Sequence, residues 1–148
     1  MTRWLLALVT VAACGGRTTT PAPPAKPAGK PLYDRMGGMD VIDAVVKDFV
    51  EVRIAQDDRI RDRFKTADRA HLQMRLAEQI CELSSGPCKY SGKHMRDAHA
   101  GIGIGDAELR VFLDDLRRSL ETLRVPAREQ DELLTALGKL HDEIVQAQ

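Results

Sequence analysis

The chain has no excess of either charge, few cysteines and no stretch of regular strand alternation. Its 148 residues include 22 lysines and arginines and 22 aspartates and glutamates. Without a net charge there is no long-range field to attract a nucleic acid, so nucleic-acid binding is not expected. The length allows one domain with a real core and leaves little room for a second. Because apolar and polar residues nowhere alternate over the length of a strand, no β-sheet is predicted.

The first residues resemble a bacterial lipoprotein signal peptide. Thr2-Arg3 precedes the apolar stretch Trp4–Ala13, which is too short to span a bilayer as a mature helix. Small residues lead directly to Cys14, where such a signal is cleaved and the new first residue is acylated. We therefore predict a signal peptide over residues 1–13 and a lipid anchor at Cys14, which would hold the protein to the membrane at the bacterial cell envelope, facing the periplasm or the outside. An ordinary secretory signal that is cleaved nearby is the alternative.

Residues 14–31 contain most of the chain's seven prolines and the run Thr18-Thr19-Thr20. Such a segment cannot bury enough apolar surface to fold, so we predict a disordered tether. The folded domain is then expected over residues 32–148, outside the cytoplasm. In that oxidising setting Cys81 and Cys88 are disulfide candidates, since Gly86-Pro87 lets the chain fold back between them. A thiolate zinc site is the weaker alternative, because no second pair of cysteines exists.

Four apolar stripes at helical spacing predict an all-α domain. The first two stripes are Val41, Ile42, Val45, Val46, Phe49 and Val50, and then Leu72, Leu76, Ile80 and Leu83. The other two are Leu109, Phe112, Leu113, Leu116, Leu120 and Leu123, and then Leu133, Leu134, Leu137, Leu140, Ile144 and Val145. Helix breaks are predicted at Gly37-Gly38 and Gly86-Pro87. Asp106 is expected to cap the third helix, and Pro126 is expected in the first turn of the fourth.

The segment Tyr90–Gly105 fits no core helix, because it contains four glycines and few periodic apolar positions. A loop of that length in a compact helical domain usually has a function. His99 lies within it, flanked by small residues that leave room for a flat partner, and a single histidine is how globins hold haem iron. A zinc site would need three or four ligands, which the chain does not visibly supply. The other three histidines have polar or charged neighbours and are expected to be ordinary surface residues.

The order of several short motifs resembles a truncated haemoglobin of group I, from Leu32 to the C-terminus. In chain order the motifs are Leu32-Tyr33-Asp34-Arg35-Met36-Gly37-Gly38, Val45-Val46-Lys47-Asp48-Phe49, Phe64, Gly86-Pro87 with Tyr90 and Gly92, and Met95-x-x-x-His99. The resemblance implies a globin-like, truncated two-over-two helical sandwich with haem b between the stripes. It also implies reversible binding of a diatomic gas, which would be oxygen, nitric oxide or carbon monoxide. A loosely structured segment before the histidine is expected in that family.

The resemblance also implies a set of haem contacts. His99 would be the proximal iron ligand, and Arg75 would meet a haem propionate, where a guanidinium–carboxylate pair is favourable. On the proximal side Met95 and Ile104 would line the pocket, while Tyr90 would lie near the haem edge. The remaining implied contacts, on the distal side, are Phe49, Phe64, Leu72 and Leu76.

The chain departs from this family on the distal side of the expected pocket. The family usually has a tyrosine directly after the phenylalanine of its second helix, whereas here Phe49 is followed by Val50. Two distal-helix positions that often carry glutamine or another polar residue are Leu72 and Leu76. A pocket without hydrogen-bond donors is predicted to bind carbon monoxide or nitric oxide comfortably and to hold oxygen less firmly.

Two details bear on this prediction. Gln73 and Gln79 are nearby polar side chains, and we expect helical spacing to turn both away from the leucine stripe. The stretch from Phe49 to Phe64 is also one residue longer than the family pattern leads us to expect.

Two alternative functions stay open. A haem enzyme for nitric oxide detoxification or peroxide chemistry would need stabilised oxygen and an electron donor, and the predicted apolar pocket argues against it. A haem-free helical sensory or interaction module would keep the scaffold alone, and the retention of His99 argues against that. The sequence identifies no redox partner.

Overall fold

The computed structural model describes residues 29–145, and within this range the chain forms helices and turns without a strand. The predicted signal peptide, Cys14 and nearly all of the predicted tether lie outside the described residues. The α-helices are α1 (Leu32–Met36), α2 (Gly38–Asp48), α3 (Ile54–Gln56), α4 (Arg69–Leu83), α5 (Met95–His99), α6 (Asp106–Thr122), α7 (Ala127–Gly138) and α8 (His141–Ile144). A π-helical segment (Phe49–Arg53) joins α2 to α3, and a 3-10 turn (Arg61–Phe64) precedes α4.

Two pairs of helices enclose the core. The α2 helix packs against α4, and α6 packs against α7, while contacts of α2 with α6 and of α4 with α7 join the pairs. The predicted stripes supply the fully buried side chains, among them Ile42, Ile80, Leu116 and Leu133, each no more than 2% exposed. The predicted all-α, two-over-two arrangement is therefore confirmed. No helix between residues 29 and 145 combines the length and the apolar character needed to cross a bilayer.

The predicted break at Gly37-Gly38 separates α1 from α2. Gly37 has a φ of +109° and ends α1, and Gly38 opens α2 with a φ of +76°. A side chain on Gly37 would come within 2.6 Å of Val41. Glycine is therefore the residue type that fits this turn, both in backbone conformation and in space. The tight turn lets α1 pack against both α2 and α7.

The π-helical segment explains the unexpected length between Phe49 and Phe64. A π turn contains one residue more than an α turn, because its hydrogen bonds span five residues rather than four. The extra residue is accommodated inside a continuous helical stretch that runs from Gly38 to Gln56. Phe49 and Val50 both stay buried, at 0% and 2% exposure.

The end of α4 is joined to the following loop by a disulfide. The Cα atoms of Cys81 and Cys88 lie 5.7 Å apart, and their sulfur atoms are bonded. Gly86 lies in the turn between them, at the predicted helix break. A side chain built on Gly86 would lie 2.6 Å from both Cys81 Sγ and Tyr33 Cδ2, so only glycine fits there. This link holds the start of the Tyr90–Gly105 segment to the buried side of α4.

Three local expectations are corrected. The capping carboxylate of α6 belongs to Glu108, which accepts the Gly105 N–H at 3.1 Å, whereas Asp106 is the first helical residue and bonds His141. Pro126 directly precedes α7 and is not part of its first turn. The fourth stripe belongs to two helices, because α7 ends at Gly138 and α8 begins at His141.

Candidate functional site

His99 is the last residue of the short helix α5, in the middle of the loop-rich segment. Its side chain is half-buried, and its Nδ1 lies 2.7 Å from the carbonyl oxygen of Met95, one helical turn earlier. Because a carbonyl can only accept, Nδ1 carries the hydrogen and the lone pair is on Nε2. A histidine that binds a metal through one nitrogen usually donates its other N–H to such a group, which fixes the ring's tautomer and orientation.

A cavity of about 120 Å³ lies between the π-helical segment, α3, the 3-10 turn and α4. Val50, Ile54, Phe64 and Leu72 form its walls, with Ala55 and Ala67 beside them. The polar side chains in its lining are the exposed cations Arg61, Lys65 and Arg69. The interior surface is therefore apolar, and none of its buried wall residues carries a hydrogen-bond donor in its side chain.

The α4 helix has two apolar faces that differ in burial. One face, which we call the core face, contains Ala77, Ile80 and Cys81, which are 0 to 4% exposed. The other, which we call the slot face, contains Leu72, Leu76 and Leu83, spaced by four and seven residues and all half-buried. The core face belongs to the buried core, whereas the slot-face leucines pack against that core and keep part of their apolar surface exposed.

The predicted distal residues are brought together only in part. Phe64 and Leu72 line the cavity, as does Val50, while Leu76 lies one turn further along the slot face. Phe49 does not line the cavity. It is fully buried and meets the ring of Phe112 edge-on at a centroid distance of 4.8 Å, so in this structure it is a core residue.

Arg75 lies on α4 beside the slot face, and Tyr90 directly precedes Ser91, to which Arg75 donates. The Arg75 guanidinium donates to Glu78 at 2.9 Å and to the hydroxyl of Ser91. Hydrogen bonds from the Ser91 N–H, then from its hydroxyl and from Arg75, hold the pKa of Glu78 below its usual range. Burial raises the pKa of the half-buried Tyr90 phenol, so that this group stays neutral. A propionate at this edge would share Arg75 with Glu78 and Ser91.

The two glutamines of α4 have different surroundings. Gln73 donates from Nε2 to Glu51 at 3.1 Å, away from the cavity lining. Gln79 lies seven residues after Leu72, which is two helical turns, and therefore shares the slot face. Its Oε1 is buried and has no hydrogen-bond partner among the described residues. A buried amide oxygen without a partner is costly, and it lies on the face that has uncovered surface.

On the proximal side, Met95 and Ile104 are both half-buried and lie at either end of the loop that carries His99. Met95 holds His99 through its backbone carbonyl rather than through its thioether. Ile54 is a cavity residue that the sequence reasoning missed, although its spacing of four residues from Val50 continues the first stripe. Arg63, which lies beside Phe64 and bonds the loop after His99, was also missed, and no sequence pattern marks it.

Known proteins match both this sequence and this fold. Residues 31–146 match the family described as bacterial-like globin. The chain belongs to the bacterial-like globins. A group 1 truncated hemoglobin of Mycolicibacterium paratuberculosis is 30% identical to this globin over 120 residues, which are 81% of this chain and 86% of that protein. One from Synechocystis is 31% identical over 64% of this chain and 79% of its own length.

Solved structures confirm the fold of this globin. Truncated hemoglobin from Tetrahymena pyriformis, in its Fe(III) form, superposes with a TM-score of 0.76 at 23% identity, covering 80% of this chain and all of that one. A 2/2 hemoglobin from a Synechococcus species, solved with covalently attached heme, gives a TM-score of 0.72 at 23% identity over 78% of this chain and 98% of its own. At these identities the likeness concerns the fold alone.

Proposed function

We propose that this globin binds haem b through His99 and reversibly binds a diatomic gas on the opposite face of the haem. The observation that carries the proposal is the orientation of His99, whose Nδ1–H donates to the Met95 carbonyl at 2.7 Å. This bond leaves the lone pair on Nε2 and aligns the ring along α5, which is the arrangement expected of a metal-ligating histidine. The slot face of α4 fits the same interpretation, because a flat apolar partner would cover the exposed part of its three leucines.

The residues present fit this group on both sides. Haem b, when bound, supplies the iron on which a small gas molecule is held. The chain's own residues would do the rest. His99 ligates and the Met95 carbonyl keeps its ring in place, while Leu72, Leu76 and Leu83 exclude water from one side. Phe64 and Val50 close the cavity where the gas would lie, without a side-chain donor.

The experiment is haemin titration of the purified full chain, followed by absorption. We expect a Soret band at one haem per chain, and we expect His99→Ala to lose it or to shift it to the position of free haemin. His94→Ala is a matched control, since His94 lies five residues earlier with its side chain 88% exposed. A wild-type protein that takes up no haemin would contradict the proposal and would favour a haem-free helical module.

The distal geometry supports a gas-binding role over oxygen-dependent enzyme chemistry. The cavity walls formed by Val50, Ile54, Phe64 and Leu72 have no polar group that could stabilise the partial negative charge of bound oxygen. We therefore propose that carbon monoxide and nitric oxide are retained longer than oxygen. Stopped-flow dissociation rates of the three gases from the ferrous protein test this order. Slow oxygen release, comparable to that of carbon monoxide, would contradict it.

We propose further that the globin domain is displayed at the bacterial cell envelope by a lipid anchor on Cys14. The basic start, the short apolar stretch Trp4–Ala13 and the small residues before Cys14 support this location. The Cys81–Cys88 disulfide would be stable in that oxidising compartment. Mass spectrometry of the mature protein after expression in a bacterial host is the test. An acylated Cys14 N-terminus is expected, and a soluble protein cleaved elsewhere would favour the ordinary secretory signal. Cys14→Ser is the control.

A further inference from the structure

The arginine beside Phe64 connects the distal and proximal parts of the site. Arg63 lies in the 3-10 turn whose last residue, Phe64, lines the distal cavity. Its guanidinium reaches the loop that follows His99, where Nη1 donates to the carbonyl of Ile102 at 2.9 Å and Nη2 donates to that of Gly103 at 3.3 Å. One side chain thus joins segments that are about forty residues apart in the sequence.

The same guanidinium is held by the first turn of α6. Arg63 Nε donates to Glu108 Oε1 at 2.6 Å and Nη2 donates to Oε2 at 3.2 Å, so that the pair is bidentate. Glu108 in turn accepts the Gly105 N–H at 3.1 Å. We call Arg63, Glu108 and the two loop carbonyls the clasp. Hydrogen bonds from Arg63 and Gly105 hold the pKa of Glu108 below its usual range, so its carboxylate stays ionised.

The loop that the clasp holds is rich in glycine. Gly101 and Gly103 both have left-handed backbone, with φ values of +75° and +69°. A glycine-rich loop loses more conformational freedom on ordering than other loops, so its ordered form depends on the bonds it makes. The guanidinium fork supplies two of those bonds to successive carbonyls, between His99 and Ile104. His99 and Ile104 are two of the residues predicted to contact haem on its proximal side.

We propose that Arg63 is a positioning residue for haem retention, because it ties the distal corner at Phe64 to the loop behind His99 and so keeps the haem slot closed on that edge. The inference rests on the proposed function, since it assigns the clasp a role at the same site. Haem leaves a globin when the proximal bond breaks and the slot opens. A clasp that spans the slot slows both steps, whereas an ordinary surface ion pair contributes little.

The test compares Arg63→Gln with Arg117→Gln in the full chain. Arg117 is a matched control, because its side chain is 40% exposed against 42% for Arg63 and it also bridges two elements, through Asp131. Haem loss from the ferric protein to excess apomyoglobin is measured. We expect Arg63→Gln to release haem roughly tenfold faster than the wild type, the factor that corresponds to about 1.4 kcal/mol. Arg117→Gln is expected to match the wild type.

Two further readouts separate positioning from simple destabilisation. The Fe–His stretching band in the Raman spectrum of the ferrous protein should shift or broaden in Arg63→Gln and stay unchanged in Arg117→Gln. Arg63→Lys should restore only part of the retention, because an ammonium cannot form the bidentate pair and reach both carbonyls at once. Equal haem loss from Arg63→Gln and Arg117→Gln, with an unchanged Raman band, would overturn the inference.

The clasp can also be tested without haem, so that its failure is distinguishable from failure of the proposed function. Hydrogen–deuterium exchange of the apoprotein should show faster exchange at residues 100–105 in Arg63→Gln than in Arg117→Gln. Unchanged exchange there would overturn the inference even in a protein that binds haem. A wild-type chain that takes up no haemin would refute both the proposed function and the retention role of Arg63.

Discussion

The two apolar faces of α4 contain similar side chains and yet behave differently. On the core face Ala77, Ile80 and Cys81 are almost completely enclosed by α2 and its neighbours. On the slot face Leu72, Leu76 and Leu83 are larger than Ala77 and Cys81, and part of their surface stays exposed. The core face is stabilised by the protein's own packing. The slot face keeps partly exposed apolar surface, which the proposed haem would cover, so that one helix would serve stability and haem binding at once.

The sharpest test of this comparison is one truncation on each face. Ile80→Ala should lower the free energy of unfolding of the apoprotein by about 3 kcal/mol, because Ile80 is 1% exposed and its truncation leaves a void in the packed core. Leu76→Ala should cost the apoprotein only about 1 kcal/mol, because part of its side chain is already in water. Urea unfolding with and without haemin measures both. The loss of unfolding free energy caused by Leu76→Ala should grow when haemin is bound. If Ile80→Ala and Leu76→Ala destabilised the apoprotein equally, the two faces of α4 would not differ as described.

The disulfide links the core face to the segment that leads to the proximal site. Replacing Cys81 and Cys88 together by serine should lower the free energy of unfolding by about 2–3 kcal/mol, as expected for a short closed loop. Because Cys81 is fully buried, a serine there adds the cost of a buried hydroxyl. Thermal unfolding with and without a dithiol reductant is the measurement. Reductant should destabilise the wild type alone, and a response of the double-serine variant would contradict this account.

A third test places a donor opposite the slot face. Val50→Tyr introduces a phenol at a cavity wall that faces Leu72, and it should slow oxygen dissociation from the ferrous protein about tenfold or more, since a hydrogen bond in a dry site stabilises bound oxygen. Carbon monoxide dissociation should change much less. Val50→Phe is the control for added volume without a hydroxyl. If Val50→Phe slowed oxygen release equally, crowding rather than hydrogen bonding would be responsible.

The smallest expected effect lies on the proximal side, where α8 packs against α5. Hydrogen bonds from His141 to Asp142, and then to Asp106 on α6, raise the pKa of this histidine above 6.5. A raised folded-state pKa means that the protonated form stabilises the fold. The contribution is fully present below pH 6.5 and is lost as the pH rises through the raised pKa. Urea unfolding of wild type and His141→Gln at low salt should therefore differ at pH 6 and converge at pH 9. A difference that grows with pH would contradict this sign.

Much of the fold could be predicted from residue spacing, because helical periodicity and glycine breaks are local properties. The stripe from Val41 to Val50 and the break at Gly37-Gly38 both follow from neighbouring residues. Motif order predicted Phe64 and Leu72 as distal residues, and the structure places both in the cavity lining, while their contact with haem stays a prediction. Phe49, by contrast, became a core residue because Phe112 from α6 packs against it.

Other features depend on contacts between distant segments. The carboxylate that caps α6 is that of Glu108, which also accepts from Arg63, and acidic residues as close as Asp106 and Glu108 look alike in a sequence. The partners of Arg63 on the loop are backbone carbonyls, which every residue has, so no side-chain pattern could reveal them. The burial of Gln79 Oε1 likewise depends on what surrounds α4 rather than on α4 alone.

The sequence by itself determined that this protein is an all-α globin with a histidine inside a glycine-rich segment, since these properties follow from spacing and motif order. Only the tertiary structure decided which apolar face of α4 is fully buried, that the Met95 carbonyl accepts from His99 Nδ1, and that Arg63 bonds the loop after His99. Burial depends on how the helices pack, and so do hydrogen bonds between residues about forty positions apart. No local sequence pattern specifies which distant residues meet.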